Sequence, residues 1–397
     1  MGRGNRITMK ALFVMSSPFP YGVAFSSRAR NLTKLLCDSG FHVHIIAPKS
    51  KTNQESRELE GYSYSTDNIY DPQNVLTLSG IGTSKPYINA VEKYLKNNKI
   101  DLILSSSMVF VADKLNKISK KIGVPYIIEQ CEWYDESTFK FGKYNPYFRE
   151  HIKRIERKNK QIDGIIAISR LFEEHYRSLG AKTIRIPTIL DVKNTVYRVD
   201  VKNNYIYKIV FAGSLGKGKE NLKPVFEALN LINKDDVKIK FKIYGPSKKQ
   251  VIENINNNIE LWNETKRFVE VCGYIPQDEV AKVISEADFT IFFRPDRRSS
   301  NAGFPTKLAE SMAGGTPVIT NNTGDISLYI DDGKNGFLCD GDDSYIIGKA
   351  FENILAMDSH AYMQMRKQAR KTAEEYFDYR CYIKEFMEFL NFIQEEK

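Results

Sequence analysis

The amino-acid sequence predicts an α/β fold made of two doubly wound domains, each built on a parallel sheet. Runs of β-branched and aromatic residues alternate with stretches of helical spacing along most of the chain, and this alternation is typical of parallel sheets covered by helices. A polar stretch at 191–205 interrupts the alternation. The 397 residues are enough for two domains of ordinary size, each with its own core.

The first half of the chain begins with a predicted strand over 10–15, a helix over 26–37 and a strand over 41–47. Strand, glycine-bearing loop, helix and strand in this order predict a parallel βαβ unit. Further strands are predicted at 101–105, 125–129 and 164–169, and helices at 91–98, 112–121, 147–160 and 171–179. Residues 50–86 show little periodicity, and we expect a long irregular insertion there, of a length typical of a functional loop.

We expect the domain boundary in the polar stretch 191–205, so that residues 1–190 form the first domain and residues 206–375 the second. The second domain repeats the α/β alternation. Its predicted strands lie at 208–213, 237–244, 268–273, 287–293 and 317–320, and its helices at 222–231, 246–256 and 277–287. The chain is predicted to be helical from residue 344 onwards, and its last part, 376–397, is too rich in aromatic residues for a free tail.

A short helix is predicted between Pro305 and Gly314, after the strand 287–293 and a polar loop over 295–303. Proline fits the first helical position, and glycine tolerates the turn that ends a helix. The N-terminus of such a helix suits a phosphate, and Glu310, one turn further on, could bind a ribose diol. An ordinary amphipathic helix with a solvated Glu310 would have the same spacing.

The sequence FPTKLAESMAGGTPVI at 304–319 resembles the nucleotide-sugar signature of retaining family 4 glycosyltransferases, whose form is roughly EGF-x4-LEAMA-x-G-x-PV. The later NGFL at 335–338 resembles a strand of the same family. The resemblance implies a GT-B fold, in which two Rossmann-like domains face a central cleft. It also implies an N-terminal acceptor-binding domain, a C-terminal donor-binding domain and a last helix, within 376–397, that crosses back to the N-terminal domain.

The chain departs from that pattern at one position. The family often has a second glutamate eight residues before the one that Glu310 matches, and Ala302 stands there. Asn301, Ser299 or Ser300 could replace it.

The resemblance also implies which residues bind the donor. The sequence FAGSLGKGKENL at 211–222 resembles the family's GR…KG segment, with Ser214 in place of its arginine, although a solvated turn is the alternative. Lys219 matches the family's lysine better than Lys217, and Lys307 and Arg294 are candidates for the missing charge. The predicted nucleotide-sugar-binding residues are Gly22, Gly213, Ser214, Lys217, Lys219, Gly245, Tyr274, Arg294, Gly303, Phe304, Pro305, Thr306, Lys307 and Glu310. Lys219 and Lys307 are also predicted to act in catalysis, by stabilising the leaving diphosphate without a metal.

Four residues of the first half are predicted to meet the acceptor. Arg28 and Arg30 follow the first strand and could bind an acceptor phosphate, or lie on a helix surface. Glu132 and Asp135 belong to an acidic cluster after the strand 125–129 and are predicted to act in catalysis, because clustered carboxylates can hold a sugar hydroxyl or act as a base. The family often has a histidine in this region, and the cluster has none.

Charge and composition limit the partners. Residues 1–190 hold 29 Lys and Arg against 18 Asp and Glu, whereas the remainder holds 29 against 31. The basic half could serve nucleic acid, an anionic membrane or a phosphate-bearing substrate. The basic stretch 144–160 is expected to be a solvated helix face, with contact to an anionic membrane as the alternative. Aromatic residues interleaved with Lys and Arg on one face are not evident, so no nucleic acid is expected.

Three further features bear on the compartment. The five cysteines are scattered and form no CxxC pair, which favours reduced thiols and no zinc site. No run of 18 apolar residues occurs, and residues 1–8 lack the pattern of a signal peptide. We therefore expect a cytoplasmic protein, with peripheral contact to the inner face of the membrane as an option.

The predicted function is that of a retaining, metal-independent glycosyltransferase of the hexosyl type. It would move a sugar from a nucleoside diphosphate sugar to a hydroxyl of a glycan or lipid-linked acceptor in surface polysaccharide assembly, with no other cofactor. The alternatives are a nucleotide-sugar epimerase, another two-domain enzyme such as a phosphorylase, and a non-enzymatic binder of nucleotide or nucleic acid.

Overall fold

The computed structural model describes residues 9–22, 24–49, 59–69, 84–197, 206–216 and 220–395. The chain divides into two compact units. Residues 1–190 and 379–397 form the first unit, and residues 191–378 form the second. Each unit has a parallel sheet with helices packed against it, which confirms the predicted α/β fold class.

The first unit is built on a seven-stranded sheet of order β3-β2-β1-β4-β5-β6-β7. Its strands are β1 (Met9–Val14), β2 (Phe41–Pro48), β3 (Tyr64–Ile69), β4 (Leu102–Ser106), β5 (Tyr126–Gln130), β6 (Gly164–Ala167) and β7 (Thr183–Arg185). All neighbouring pairs run parallel. The strand order reverses between β1 and β4, so this pair is the topological switch point of the unit.

The described part of residues 1–190 contains five α-helices. They are α1 (Ala24–Asp38), α2 (Ser84–Leu95), α3 (Ala112–Ile122), α4 (Pro146–Lys153) and α5 (Arg170–Ser178). The predicted helix over 147–160 is correct only as far as Lys153, because the chain continues as a π-helical turn, Arg154–Lys158, and a 3-10 turn, Asn159–Gln161. This change of winding accompanies the burial of Asn159, whose amide donates to Gln130 Oε1 and Tyr176 Oη at 3.1 Å each.

The predicted irregular insertion over 50–86 is partly wrong. Strand β3 lies within it and pairs with β2 along its whole length, and α2 begins at Ser84. β3 is a half-exposed edge strand with the polar sequence YSTDNI, so it has no apolar run that would signal a strand. Residues 50–58 and 70–83 of this region lie outside the described residues.

The second unit is built on a six-stranded parallel sheet of order β10-β9-β8-β11-β12-β13. Its strands are β8 (Tyr207–Ala212), β9 (Ile239–Tyr244), β10 (Val269–Gly273), β11 (Phe289–Phe292), β12 (Val318–Asn321) and β13 (Gly336–Cys339). The order again reverses once, between β8 and β11, which makes this pair the switch point of the second unit.

Within its described residues, the second unit has eight α-helices. They are α6 (Lys223–Ile232), α7 (Lys248–Asn254), α8 (Ile259–Thr265), α9 (Gln277–Ser285), α10 (Arg298–Ala302), α11 (Thr306–Ala313), α12 (Ser344–Ala356) and α13 (Ser359–Tyr376). α8 was not predicted, and α10 lies inside the predicted polar loop 295–303. The helical region from 344 onwards is broken where Asp358 caps α13 by accepting from Ala361 N at 2.7 Å.

The predicted linker 191–205 is described only as far as residue 197. That part belongs to the second unit. Arg370 holds it there, because its Nη2 donates to Val192 O at 2.9 Å and its guanidinium lies 5.0 Å from the ring centroid of Tyr197. Residues 198–205 lie outside the described residues.

The last helix, α14 (Ile383–Glu395), is part of the first unit. Its buried side chains share one hydrophobic cluster with the strands of that unit; they are Phe386, Phe389, Leu390 and Ile393. Gly164 makes room for the helix, since a Cβ there would overlap Ile393 Cδ1. Tyr379, just before the helix, donates to Asp38 Oδ2 and shares a hydrogen bond with Tyr62 Oη, each at 2.7 Å. The chain therefore leaves the first unit after residue 190 and returns to it at residue 379.

Candidate functional site

The switch point of the second unit is the natural place to look for a ligand site. In open parallel sheets, ligands bind beyond the carboxyl ends of the strands at the point where the strand order reverses. Here these ends are Ala212 of β8 and Phe292 of β11. The predicted donor residues Gly213, Ser214 and Arg294 follow directly, so the sheet brings the two predicted loops together.

Three glycines lie at neighbouring strand ends along this edge of the sheet, and we call them the glycine floor. Gly213, Gly245 and Gly273 stand at the ends of β8, β9 and β10 with φ of 150°, 108° and 74°. Gly213 N donates to Tyr244 O at 3.0 Å and Gly245 N to Gly273 O at 2.7 Å. A Cβ on Gly245 would overlap the carbonyl oxygen of Gly213. The ends of β8 and β9 thus pack backbone against backbone at Gly245, where only glycine leaves enough room.

Lys307 lies across this floor. A Cβ on Gly213 would stand 2.5 Å from Lys307 Cε, so the absence of a side chain there lets the lysine pass. The Lys307 Nζ lies 4.6 Å from the ring centroid of Phe211 and 5.8 Å from that of Phe292. Its side chain is only 21% exposed. A cation is therefore held at the glycine edge of the sheet, where backbone amides and positive charge suit an anionic group.

Glu220 is the partner of that cation, and sequence reasoning did not single it out. Lys307 Nζ donates to Glu220 Oε1, and the Glu220 side chain is 6% exposed. The other carboxylate oxygen, Oε2, is buried and has no hydrogen-bond partner within the described residues. Lys217 and Lys219, the predicted loop lysines, lie outside the described residues.

Helix α11 has an apolar face and one buried polar residue. Leu308, Ala309, Met312 and Ala313 are fully buried. Ser311 is also buried, and its hydroxyl accepts a hydrogen bond from Thr290 Oγ1 of β11 at 2.7 Å. Glu310 is half-buried. Pro305 is the residue before the first turn, and no side chain in the described part of the chain caps that end.

The residues between β11 and α11 mostly support the loop itself. Asn301, a candidate for the missing glutamate, donates to Asp296 Oδ1 at 2.7 Å and accepts from Gly324 N at 2.8 Å. Ala302 is fully buried. Arg294 is fixed through its backbone, since its N donates to Asn321 Oδ1 at 3.0 Å. The amide of Asn301 is therefore already used to shape the loop.

The other predicted donor residues of the second unit differ in exposure. Phe304 is buried and packs edge-on against Tyr329 and Phe377, with ring centroids 5.4 and 5.6 Å away. It belongs to an aromatic core, which favours a structural role over direct contact. Gly303 is buried, Pro305 and Thr306 are half-buried, and Ser214 and Tyr274 are exposed.

The predicted acceptor arginines of the first unit point inward. Arg28 on α1 is 4% exposed, and its Nε donates to Glu129 Oε1 of β5 at 2.6 Å. Its other nitrogens donate to Pro187 O and to Ile186 O. Arg30 is 3% exposed and donates to Pro20 O at 2.6 Å. Neither arginine lies on a helix surface. The alternative that they lie on a helix surface is therefore wrong. Each arginine instead links α1 to the backbone of another chain segment. Gly22, the remaining predicted residue here, is exposed in the loop after β1.

A buried charge cluster forms around Glu129. The Cys131 thiol donates to the same Oε1 that Arg28 binds. Burial and the Glu129 carboxylate raise the pKa of Cys131 well above its ordinary value. Burial by itself lowers the pKa of Arg28, but Glu129 outweighs that effect and raises it. Cys131 is thus held as a neutral thiol, which makes it a poor nucleophile.

The acidic cluster after β5 lies on a loop that is rich in aromatic residues. Glu132 is exposed and Asp135 is half-buried. Sequence reasoning found no histidine in this stretch, but the fold brings one from α4, since Tyr134 N donates to His151 Nε2 at 3.2 Å. Further along, Phe141 has a left-handed backbone with φ of 72°. The side chains of Phe141 and Tyr144 are 65% and 73% exposed.

The predicted basic stretch 144–160 is only partly available at the surface. Arg154 is 2% exposed and donates to Asp113 Oδ1 at 2.7 Å, and Lys158 donates to the other oxygen at 2.9 Å. Burial raises the pKa of Asp113, but these two cations outweigh it and lower the pKa below its ordinary value. Lys153, Arg157 and Lys160 remain exposed.

Within the described ranges, no three side chains of His, Cys, Asp or Glu are grouped closely enough to hold a metal ion. None of the described helices is both long and apolar enough to cross a bilayer.

Two family models match this chain in its two halves. The model described as "Glycosyltransferase Family 4" matches residues 26–193, and that described as "Glycosyl transferases group 1" matches residues 206–357. The second match contains both strands of the β8/β11 switch point, whereas the first begins after β1. The chain belongs to the group 1, family 4 glycosyltransferases. This family assignment confirms the resemblance in the signature at 304–319.

Relatives of this glycosyltransferase include a polysaccharide enzyme. The amylovoran biosynthesis glycosyltransferase AmsK of Erwinia amylovora is 24% identical over 197 residues, which are 48% of this chain and 46% of AmsK. The chain spans about half the length of the curated relatives it matches.

Solved structures show the fold. Sucrose-phosphate synthase of Thermosynechococcus elongatus has a TM-score of 0.76 at 15% identity, over 98% of this glycosyltransferase and 100% of the synthase. HepE of Anabaena, solved in complex with UDP and glucose, has a TM-score of 0.68 at 15% identity, over 97% of this chain and 100% of HepE. These similarities confirm that the two units form a GT-B fold.

The close packing at the glycine floor can be tested by measuring the free energy of unfolding of glycine variants. We expect Gly245→Ala to destabilise the second unit by about 1–3 kcal/mol more than Gly273→Ala, because only the first places a Cβ against rigid backbone. Gly273→Ala is a matched control, since it has a positive φ but nothing within 4 Å and should cost about 1 kcal/mol. The measurement is urea unfolding followed by the fluorescence of Trp262, in a Trp133→Phe background. Equal losses in the two variants would contradict the close packing of Gly245 on Gly213.

Proposed function

We propose that this glycosyltransferase moves a sugar from a nucleoside diphosphate sugar to the hydroxyl of an acceptor glycan. The observation that carries the proposal is the position of Lys307, whose amine is held over the glycine edge at the switch point of the second unit. A diphosphate bound there would meet a cation, accessible backbone and the N-terminus of α11. Family membership and the UDP-bound structure of HepE support the same ligand class.

Each residue near the diphosphate has a proposed part in the reaction. Lys307 would stabilise the negative charge that develops on the leaving diphosphate. Glu310, half-buried one turn into α11, would accept hydrogen bonds from hydroxyls of the donor. Lys219, Glu132 and Asp135 stay predictions for catalysis. Polysaccharide assembly is proposed because AmsK, by its name, acts in amylovoran biosynthesis, and a hexose is the proposed sugar.

The donor site can be tested by binding. We expect one nucleotide class in a panel of UDP-, GDP-, ADP- and dTDP-sugars to raise the unfolding temperature of the wild-type protein. Lys307→Ala should weaken that binding roughly 10- to 100-fold, as expected for a charge-assisted hydrogen bond, and Glu310→Ala should abolish the shift. Isothermal titration measures the affinities.

Lys349→Ala is the control for Lys307→Ala, because it removes an exposed lysine of α12 in the same unit. It should leave binding unchanged. Equal stabilisation of the wild type, Lys307→Ala and Glu310→Ala would place the donor elsewhere.

We also propose that transfer retains the anomeric configuration and needs no metal. The bond from the anomeric carbon to the phosphate oxygen breaks and the bond to the acceptor oxygen forms, while the departing phosphate takes the acceptor proton. The resemblance to retaining enzymes supports retention, and the Lys307 cation supports metal independence. Proton NMR of the first product should show the donor's anomeric configuration, and EDTA should leave the initial rate unchanged. A product with inverted anomeric configuration would disprove retention. A rate that EDTA abolishes and that Mg²⁺ or Mn²⁺ restores would disprove metal independence.

The aromatic loop of the first unit is proposed to contact an anionic membrane surface, where a lipid-linked acceptor would reside. Phe141 and Tyr144 are largely exposed, and each ring has a lysine beside it, with Lys140 Nζ at 5.3 Å and Lys143 Nζ at 5.5 Å from the centroids. Exposed aromatic rings with neighbouring lysines are typical of segments that lie at membrane interfaces. We propose this aromatic loop as the contact surface in place of the whole stretch 144–160, because Arg154 and Lys158 of that stretch bind Asp113 within the unit.

The membrane contact can be tested with vesicles of phosphatidylglycerol and phosphatidylcholine. We expect the double variant Phe141→Asn, Tyr144→Asn to bind them at least about tenfold more weakly, because two apolar rings no longer enter the interface. The control is Leu231→Asn, Tyr345→Asn, two second-unit residues that are each 69% exposed. Sedimentation measures binding. Equal loss in both double variants, or no binding by the wild type, would refute the contact.

A further inference from the structure

Glu220 has no part in the proposed chemistry, yet it is the hydrogen-bond partner of the lysine at the centre of the donor site. It accepts from Lys307 Nζ, and its side chain is 6% exposed. We propose that Glu220 is the positioning residue of the donor site, which holds the amine of Lys307 where the diphosphate binds. The inference rests on the proposed function and adds a second residue to it.

The backbone of Glu220 is itself fixed in place. Asn254 on α7 donates from Nδ2 to Glu220 O at 3.0 Å, and its Oδ1 accepts from Leu222 N at 2.8 Å. One amide side chain therefore holds the chain at Glu220 and two residues beyond it. The carboxylate extends from an anchored point, so that it can fix the position of another group.

Because Glu220 is buried, its carboxylate depends on Lys307 to compensate its charge. A buried carboxylate is costly unless a cation or hydrogen-bond donors compensate it. Glu220 Oε2 has no partner within the described residues, so most of the compensation must come through Oε1 and Lys307. The amine of Lys307 is therefore held by its partner, while its side chain stays 21% exposed.

The other contacts of Lys307 remove the remaining freedom. Its Cε passes over Gly213, and its Nζ lies over the ring of Phe211. A free lysine side chain loses much rotamer entropy when it binds a ligand. In this protein the entropy is lost on folding, so a diphosphate would bind an amine that is already in place.

The opposite role for Glu220 has a different consequence. A carboxylate beside a diphosphate site could repel the ligand and occupy its cation, and removing it would then strengthen binding. The two roles predict changes of opposite sign in the affinity for a nucleoside diphosphate.

The experiment is isothermal titration of the full-length protein with UDP, GDP, ADP and dTDP. For the nucleotide that binds the wild type, we expect Glu220→Ala to weaken binding about tenfold, since a charge-assisted contact loses its orientation. Glu220→Gln keeps an oxygen that can accept from Lys307 Nζ and should stay within about threefold of the wild type. With the donor sugar, the loss in Glu220→Ala should appear mainly in KM.

A double-mutant cycle tests whether Glu220 acts through Lys307. In a Lys307→Ala background, Glu220→Ala should change the affinity by less than about twofold, because the residue that it positions is gone. The control is Glu227→Ala, which breaks a 3.5 Å pair with Lys223 at the surface of the same unit and should not affect binding. Thermal unfolding without ligand confirms that each variant folds. If Glu220→Ala does not fold, the inference is tested with Glu220→Gln and with the double variant. The double variant removes both members of the pair and so leaves no unpaired charge.

Several results would overturn the inference. Tighter binding in Glu220→Ala would identify Glu220 as a competitor of the diphosphate. A loss in Glu220→Gln as large as in Glu220→Ala would show that charge matters and position does not. Additive losses in the double variant would show that Glu220 does not act through Lys307. If the wild type binds no nucleotide, the proposed function fails and this inference with it, whereas binding that is unchanged in Glu220→Ala contradicts the inference alone.

Discussion

The arrangement of Lys307 at the carboxyl edge of the second sheet depends on one steric constraint, the close approach of side chain and backbone at the strand ends. Lys307 can cross the end of β8 only because Gly213 has no side chain, and Gly213 sits against Gly245 with no room for a Cβ between them. The lysine, the two glycines and the buried Glu220 therefore form one packed group. A change in any of them alters the position of the cation.

The first unit stabilises the matching edge of its own sheet by a related device. A buried arginine from α1 binds the carboxylate of Glu129 at the end of β5 and two backbone carbonyls that follow β7. All three nitrogens of Arg28 have partners inside the unit. In both units a buried ion pair fixes loops at the carboxyl edge, but only the pair in the second unit includes a cation that is partly exposed.

Much of the fold could be predicted from the sequence, because buried parallel strands are continuous apolar runs and their helices have a clear apolar face. The elements that were missed lack such signals. β3 is a polar edge strand, β7 has three residues, and α10 is a five-residue helix in a polar loop. The π-helical turn Arg154–Lys158 accompanies the burial of Asn159, and sequence spacing does not show burial.

The site was predicted less completely than the fold. The family resemblance singled out Lys307, Glu310, Gly213 and Gly245, which stay predictions as site residues. Glu220 was not singled out because its contact is with a residue 87 positions away. The helix-surface alternative for Arg28 was wrong because this arginine is buried, whereas most arginines are exposed. Such residues acquire their roles through tertiary contacts, which a single sequence does not reveal.

The return of the chain at Tyr379 has a consequence for the order of events during synthesis. Phe386, Phe389, Leu390 and Ile393 complete the core of the first unit, yet they leave the ribosome after the whole second unit. Part of the apolar surface of the first sheet therefore stays uncovered until the second unit has been synthesised. The core of the first unit is completed by a segment made after the second unit, even though nearly all of the residues of the first unit are made first.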